Sequence, residues 1–145
     1  GLRISEALNL KLDDVDLQEG IIRVRSGKGQ KDRSVPICPK LQEIITEYLK
    51  NIRPVCKSAY FFATTKTGRL SPAYVNLKIH KAVETLGWNR TITAHSFRHS
   101  FASALINKDV GVVYVQKLLG HADMRVTSRY CHTKMTELKE AINRL

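Results

Sequence analysis

The sequence predicts an α+β domain that is mostly helical, with a small antiparallel β-sheet near the N-terminus packed on a helical bundle. Three observations lead there. Two short β-rich runs, Ile21-Ile22-Arg23-Val24-Arg25 and Arg33-Ser34-Val35-Pro36-Ile37, flank a segment with two glycines, Ser26-Gly27-Lys28-Gly29-Gln30. Glycines suit the positive φ of a hairpin turn. Beyond them, apolar residues recur at helical spacing in one stretch after another. The length of 145 residues and the 43% hydrophobic fraction fit one domain, residues 1–145, with a packed core.

The elements follow in order. Arg3 to Leu10 reads as a short helix, apolar at Ile4, Ala7, Leu8 and Leu10. Asp13 to Asp16 leads to a turn at Glu19-Gly20, and the two hairpin strands come next. Leu41, Ile44, Ile45, Tyr48, Leu49 and Ile52 carry a helical period that Pro54 ends. Tyr60 to Ala63 reads as a third strand, followed by a turn at Thr67-Gly68. Ser71-Pro72 starts a helix, with serine as N-cap and proline in the first turn, and Gly87 stops it. Ala94 to Asn107 is a further helix, then Val112 to Leu119 with Gly120 as its C-terminal cap. A short helix is expected over Met124 to Tyr130. The segment from Lys134 to Leu145 repeats apolar residues at Met135, Leu138, Ala141, Ile142 and Leu145.

Charge narrows the partner. Lysine and arginine total 24 against 13 acids, a net +11, so a polyanion is the first candidate. Between Tyr48 and Lys108 the only acid is Glu84, a depletion that favours a phosphate-facing surface and includes Lys66 and Arg69. Arg23, Arg25, Lys28, Lys31 and Arg33 form a second basic cluster around the glycine turn. No apolar run reaches the length of a membrane helix, and no secretory signal pattern opens the chain. Cys38, Cys56 and Cys131 make no CxxC pair, which argues against a disulfide framework or a thiolate zinc site.

Residues able to carry chemistry are spread along the chain. His95 and Arg98 lie three apart and share a helical face. His121 follows a helix-ending glycine, and Tyr130 comes nine residues later. Each alone reads as a surface or packing residue. Together with Arg3 and the lysine of the glycine turn, they are what metal-free attack on a phosphodiester requires. Arginine forks neutralise charge on the non-bridging oxygens, a lysine or histidine protonates the leaving alkoxide, and tyrosine supplies the nucleophile. His95 and His99 are four apart but have no HExxH glutamate between them, and no acidic cluster suits two-metal chemistry. His99 is expected to pack within its helix; His80 and His132 have no partner pattern.

Four blocks then carry a resemblance. Gly1-Leu2-Arg3-Ile4-Ser5-Glu6, Gly27-Lys28-Gly29-Gln30-Lys31-Asp32-Arg33 with Val35-Pro36, His95-Ser96-Phe97-Arg98-His99, and Leu119-Gly120-His121 with Tyr130 resemble, in order and separation, the catalytic domain of the tyrosine recombinase (phage integrase) family. The resemblance implies that Arg3 and Arg98 clamp the scissile phosphate and that Lys28 is the general acid for the departing 5′ oxygen. Lys31 shares the turn; Lys28 is preferred because it sits in the Gly-Lys-Gly frame. His95 would assist proton transfer, His121 would hydrogen-bond the phosphate, and Tyr130 would attack to leave a 3′-phosphotyrosyl link. Glu6 would support the site from behind. Lys31, Arg33, Lys66 and Arg69 are the expected DNA-surface contacts.

No metal, ATP or other cofactor is implied. Phe97 stands where the family usually has leucine, and Cys131 follows the nucleophile where threonine is common. The implied partner is double-stranded DNA, not a membrane, and the implied location is the cytoplasm at the nucleoid of a prokaryote, phage or mobile element. Family members usually carry a helical DNA-clamping domain ahead of the first arginine block. The chain is therefore expected to be the catalytic portion of a larger integrase, tetrameric on DNA and monomeric as an isolated portion. Its last segment would pack on its own core or dock on a neighbouring protomer. Two other readings remain: a type IB topoisomerase that reseals the same strand, and a non-catalytic DNA-binding fragment that kept the basic surface.

Overall fold

A computed structural model of the chain describes residues 1–25 and 32–120. The chain divides into two compact units, residues 1–98 and 99–145. In the first, helix α1 (Ile4–Asn9) and a 3-10 turn (Leu12–Asp14) lead into a three-stranded antiparallel sheet, β1 (Val15–Asp16), β2 (Ile21–Val24) and β3 (Arg33–Pro36), in the order β1-β2-β3. Helix α2 (Pro39–Glu47) continues as a π-helical turn over Tyr48–Ile52, and helix α3 (Pro72–Thr85) follows. Helix α4 (Ala94–Ile106) contains the boundary between the units, and α5 (Val112–Leu119) lies in the second.

The two strands read from the sequence pair with Ile22 opposite Val35 and Val24 opposite Arg33. Side chains of β2 alternate: Ile22 and Val24 are buried while Arg23 is exposed. The inward residues join Leu10, Ile37, Ile45 and Phe61 in one core. The third strand is not Tyr60–Ala63 as expected but Val15–Asp16, which pairs with Ile21 and Ile22 across the Glu19-Gly20 turn. Tyr60 makes a single antiparallel bridge to Lys11, with the Phe61 N–H donating to the Leu10 carbonyl at 2.7 Å. Phe61 is drawn inward to the core, where Tyr48 and Phe62 surround it with ring centroids 5.0–5.6 Å apart. Of the α2 stripe, Ile45 is buried and Tyr48 and Leu49 pack on the core, while Leu41, Ile44 and Ile52 are exposed.

Helix ends obey their local chemistry. The Ser71 hydroxyl accepts the Tyr74 N–H at 3.2 Å, capping α3. At the other end Gly87, at φ +65°, donates to the Glu84 carbonyl, and the Trp88 N–H reaches back to Val83 at 3.1 Å. That paired return is a Schellman motif. In the second unit α5 ends at Gly120 with φ 66° and ψ 42°, as its sequence predicts. Ala102, Val115 and Leu119 are fully buried there, with Phe101, Leu105, Ile106 and Val110 around them. The helices expected over Met124–Tyr130 and Lys134–Leu145, and the glycine turn, lie outside the described residues.

Candidate functional site

The carboxylate of Glu6 organises the charged end of the first unit. Arg3 has extended backbone just before α1, so its N–H is one of the helix's unpaired donors; it bonds Glu6 Oε2 at 2.7 Å. The Arg3 guanidinium also donates to Oε1 at 2.9 Å. From β3, Arg33 meets the same carboxylate as a fork, Nη1 to Oε1 at 3.0 Å and Nη2 to Oε2 at 2.9 Å. From the first turns of α4, Arg98 brings Nη1 to 3.8 Å from Oε2 and donates to the Gly1 carbonyl at 2.7 Å. Arg98 is only 4% exposed, a burial that a guanidinium tolerates when hydrogen-bonded and faced by a carboxylate.

Burial alone would raise the Glu6 pKa. Hydrogen bonds from Arg33, then from the Arg3 backbone, together with the Arg33 charge and the Arg3 side chain, outweigh it and hold the group at about 2. Glu6 is thus ionised at neutral pH.

The start of α4 is fixed by two other contacts. Asn76 of α3 accepts the Ala94 N–H through Oδ1 at 3.0 Å, and the Ser96 hydroxyl accepts the Thr93 N–H at 3.1 Å. These bonds position the turn that carries both His95 and Arg98. His95 is exposed one turn before the buried Arg98. His99, expected to pack within the helix, is exposed instead, because its position falls off the buried face that Arg98 occupies.

The structure therefore brings Arg3, Glu6, Arg33 and Arg98 together, and Arg98 also reaches the Gly1 carbonyl, 97 residues away in sequence. Lys28, Lys31, His121 and Tyr130 lie outside the described residues. Lys66 and Arg69 are exposed on the loop after Ala63, where the Arg69 guanidinium lies 5.6 Å from the Tyr60 ring centroid. Arg33, expected on the DNA surface, has its fork turned onto Glu6. A second ion pair also escaped sequence reasoning: the exposed Arg25 donates through Nε to Oδ1 of the buried Asp14 at 2.7 Å, and the Lys11 N–H donates to Oδ2 at 2.9 Å. Only the spacing of three in Arg3–Glu6 and in Lys11–Asp14 gave a local signal for any of these bonds.

Among the described residues no group of three or more His, Cys, Asp or Glu could hold a metal ion, and no helix is long and apolar enough to cross a membrane. A groove along α2, lined by Gln42, Glu43, Thr46 and Glu47, holds none of the residues above. What the arginine cluster offers is a set of fixed guanidiniums around one permanent anion, an arrangement suited to a phosphate oxygen.

Comparison with known proteins points the same way. A sequence model described as the phage integrase family matches residues 1–137. The chain is 38% identical over 147 residues to tyrosine recombinase XerA of Pyrococcus horikoshii, covering 99% of the chain and 50% of the relative. It is 38% identical over 143 residues to tyrosine recombinase XerD of Corynebacterium glutamicum, covering 97% and 47%. Among solved structures, XerA recombinase superposes with a TM-score of 0.82 at 32% identity, over 99% of this chain and 53% of that one. XerH site-specific recombinase bound to its difH substrate, a pre-cleavage complex, gives 0.79 at 33% identity, over 97% and 42%. The Tn1549 transposon integrase in complex with a circular intermediate DNA gives 0.86 at 19% identity, over 99% and 54%, a likeness of fold. The chain spans about half the length of the curated relatives it matches.

Proposed function

The chain belongs to the phage integrase family, and on that premise we propose that residues 1–145 are the catalytic domain of a tyrosine-type site-specific DNA recombinase. The reaction is strand cleavage and rejoining in double-stranded DNA. Arg3 and Arg98 hold the non-bridging oxygens of the scissile phosphate. Tyr130 attacks phosphorus, forming a 3′-phosphotyrosyl bond as the bond to the 5′ oxygen breaks. Lys28 gives the departing oxygen its proton, His95 assists proton transfer, and His121 donates a hydrogen bond to the phosphate. Because the covalent link conserves the bond energy, a 5′ hydroxyl from another strand reverses the step without ATP. Lys66 and Arg69 add contacts to the duplex.

One observation carries this reading: Arg98 is buried and anchored beside Glu6, together with Arg3. A surface that only bound DNA would keep its cations in water. Here two are held in place by hydrogen bonds, the preorganisation that stabilises developing charge. The whole protein acts as a tetramer on DNA at the nucleoid, with a separate clamping domain in the remainder of its length.

The test is a nicked suicide substrate offered to the whole protein. A covalent protein–DNA complex is expected, and Tyr130→Phe abolishes it. A complex that survives the substitution overturns the nucleophile; no complex with the unaltered protein overturns the reaction.

A further inference from the structure

We infer that Arg33 is a positioning residue for strand cleavage: it ties β3, the strand that follows Lys28 in sequence, to the same carboxylate that holds Arg3 and stands beside Arg98. The inference rests on the reading of Lys28 as general acid and goes beyond it, because it joins two parts of the site that the sequence keeps separate.

The geometry is specific. Arg33 opens β3 opposite Val24, which is locked in the core, so the backbone at this point has little freedom. Its side chain is only 11% exposed and meets Glu6 through two parallel bonds. A two-pronged guanidinium–carboxylate contact fixes direction as well as distance, which a lysine ammonium does not. The end of β2 has a looser tie: the exposed Arg25, just past Val24, donates through Nε to the buried Asp14 at 2.7 Å. β2 and β3, which flank Lys28 in sequence, thus meet carboxylates of the N-terminal segment just where their ladder pairing ends. A general acid displaced by about 1 Å loses on the order of 100-fold in rate, so such anchoring sets the rate without touching substrate.

The experiment uses the whole recombinase and two nicked substrates, identical except that sulfur replaces the bridging 5′ oxygen in one. A thiolate, with a pKa of about 8.5, departs without a proton, whereas an alkoxide does not. Lys28→Ala calibrates the pair: it should slow the oxygen substrate alone. Arg33→Gln is expected to slow cleavage of the oxygen substrate by about 100-fold and of the sulfur substrate at least tenfold less, with DNA affinity held within about threefold. Arg33→Lys should recover part of the loss, and covers the case in which the glutamine variant fails to fold. Equal slowing of both substrates by either folded variant overturns the inference. So does a loss that follows DNA affinity and flattens its salt dependence, which would make Arg33 a phosphate contact. A Lys28→Ala variant that slows both substrates equally, or unaltered protein that forms no covalent complex, overturns the underlying reading and this inference with it.

Discussion

Two basic regions of the first unit use their charge in opposite ways. Around Glu6, Arg3, Arg33 and Arg98 point inward and are held by hydrogen bonds to a carboxylate or a carbonyl. Along the acid-poor stretch that follows α2, Lys50, Lys57, Lys66, Lys78 and Lys81 are all exposed. The division tracks residue type: every lysine among the described residues is exposed, whereas the half-buried or buried cations are arginines. Arg53 makes the point inside the acid-poor stretch itself. It donates to the carbonyls of Ser58, Tyr60 and Phe61 at 2.7, 3.0 and 3.2 Å and closes the loop that delivers Phe61 to the core. A guanidinium is weakly hydrated and rigidly forked, so it can be built into a fold, while an ammonium keeps its water. Net charge therefore counts two different things together, architecture and affinity.

Three measurements press on that division. The largest effect belongs to Glu6→Ala, which removes the carboxylate that Arg33 forks and Arg98 faces; a loss of about 3–5 kcal/mol is expected in urea unfolding. Its pH counterpart has a definite sign. The Glu6 pKa is about 2 in the folded chain against an ordinary 4.5. The stabilisation it brings is complete above the ordinary value and is lost as pH falls from about 4.5 to about 2. The urea midpoint of the unaltered protein should drop through that window, and Arg33→Gln should reduce the drop; an undiminished drop would assign it to other carboxylates. Next comes Arg53→Gln, expected to cost about 2 kcal/mol through carbonyls left short of donors, with no change in the salt dependence of DNA binding. The smallest effect on folding is expected from Lys57→Gln with Lys66→Gln, within about 0.5 kcal/mol. Yet this pair should flatten the log–log salt slope of DNA binding by about 0.9 for each lysine that meets a phosphate. An unchanged slope would turn that loop away from the duplex.

Much of the fold was legible because its signals are local. The Ser71 cap, the Gly87 and Gly120 stops and the β2–β3 pairing are each written within a few residues, and each is found where its chemistry puts it. Errors came where through-space competition decides. Tyr60 to Ala63 has strand composition, but the sheet edge was already taken by Val15–Asp16, and Phe61 serves the core from a loop. Arg33 and Glu6 are 27 residues apart, and no period or cap links them. In the candidate site the residue types could be read from their motifs. What could not be read was which arginine faces solvent and which faces a carboxylate, since both occur in equally basic stretches.

Among the described residues, the Glu6 carboxylate is met by three guanidiniums, those of Arg3, Arg33 and Arg98. In the proposed reaction a phosphodiester arrives with one negative charge and acquires a second as a tyrosine oxygen adds to phosphorus. Guanidiniums fixed in advance would then favour that pentacoordinate species over the DNA that preceded it. In that reaction Glu6 would serve as a resident counter-ion, trimming the attraction for an intact backbone while leaving enough for the moment of exchange.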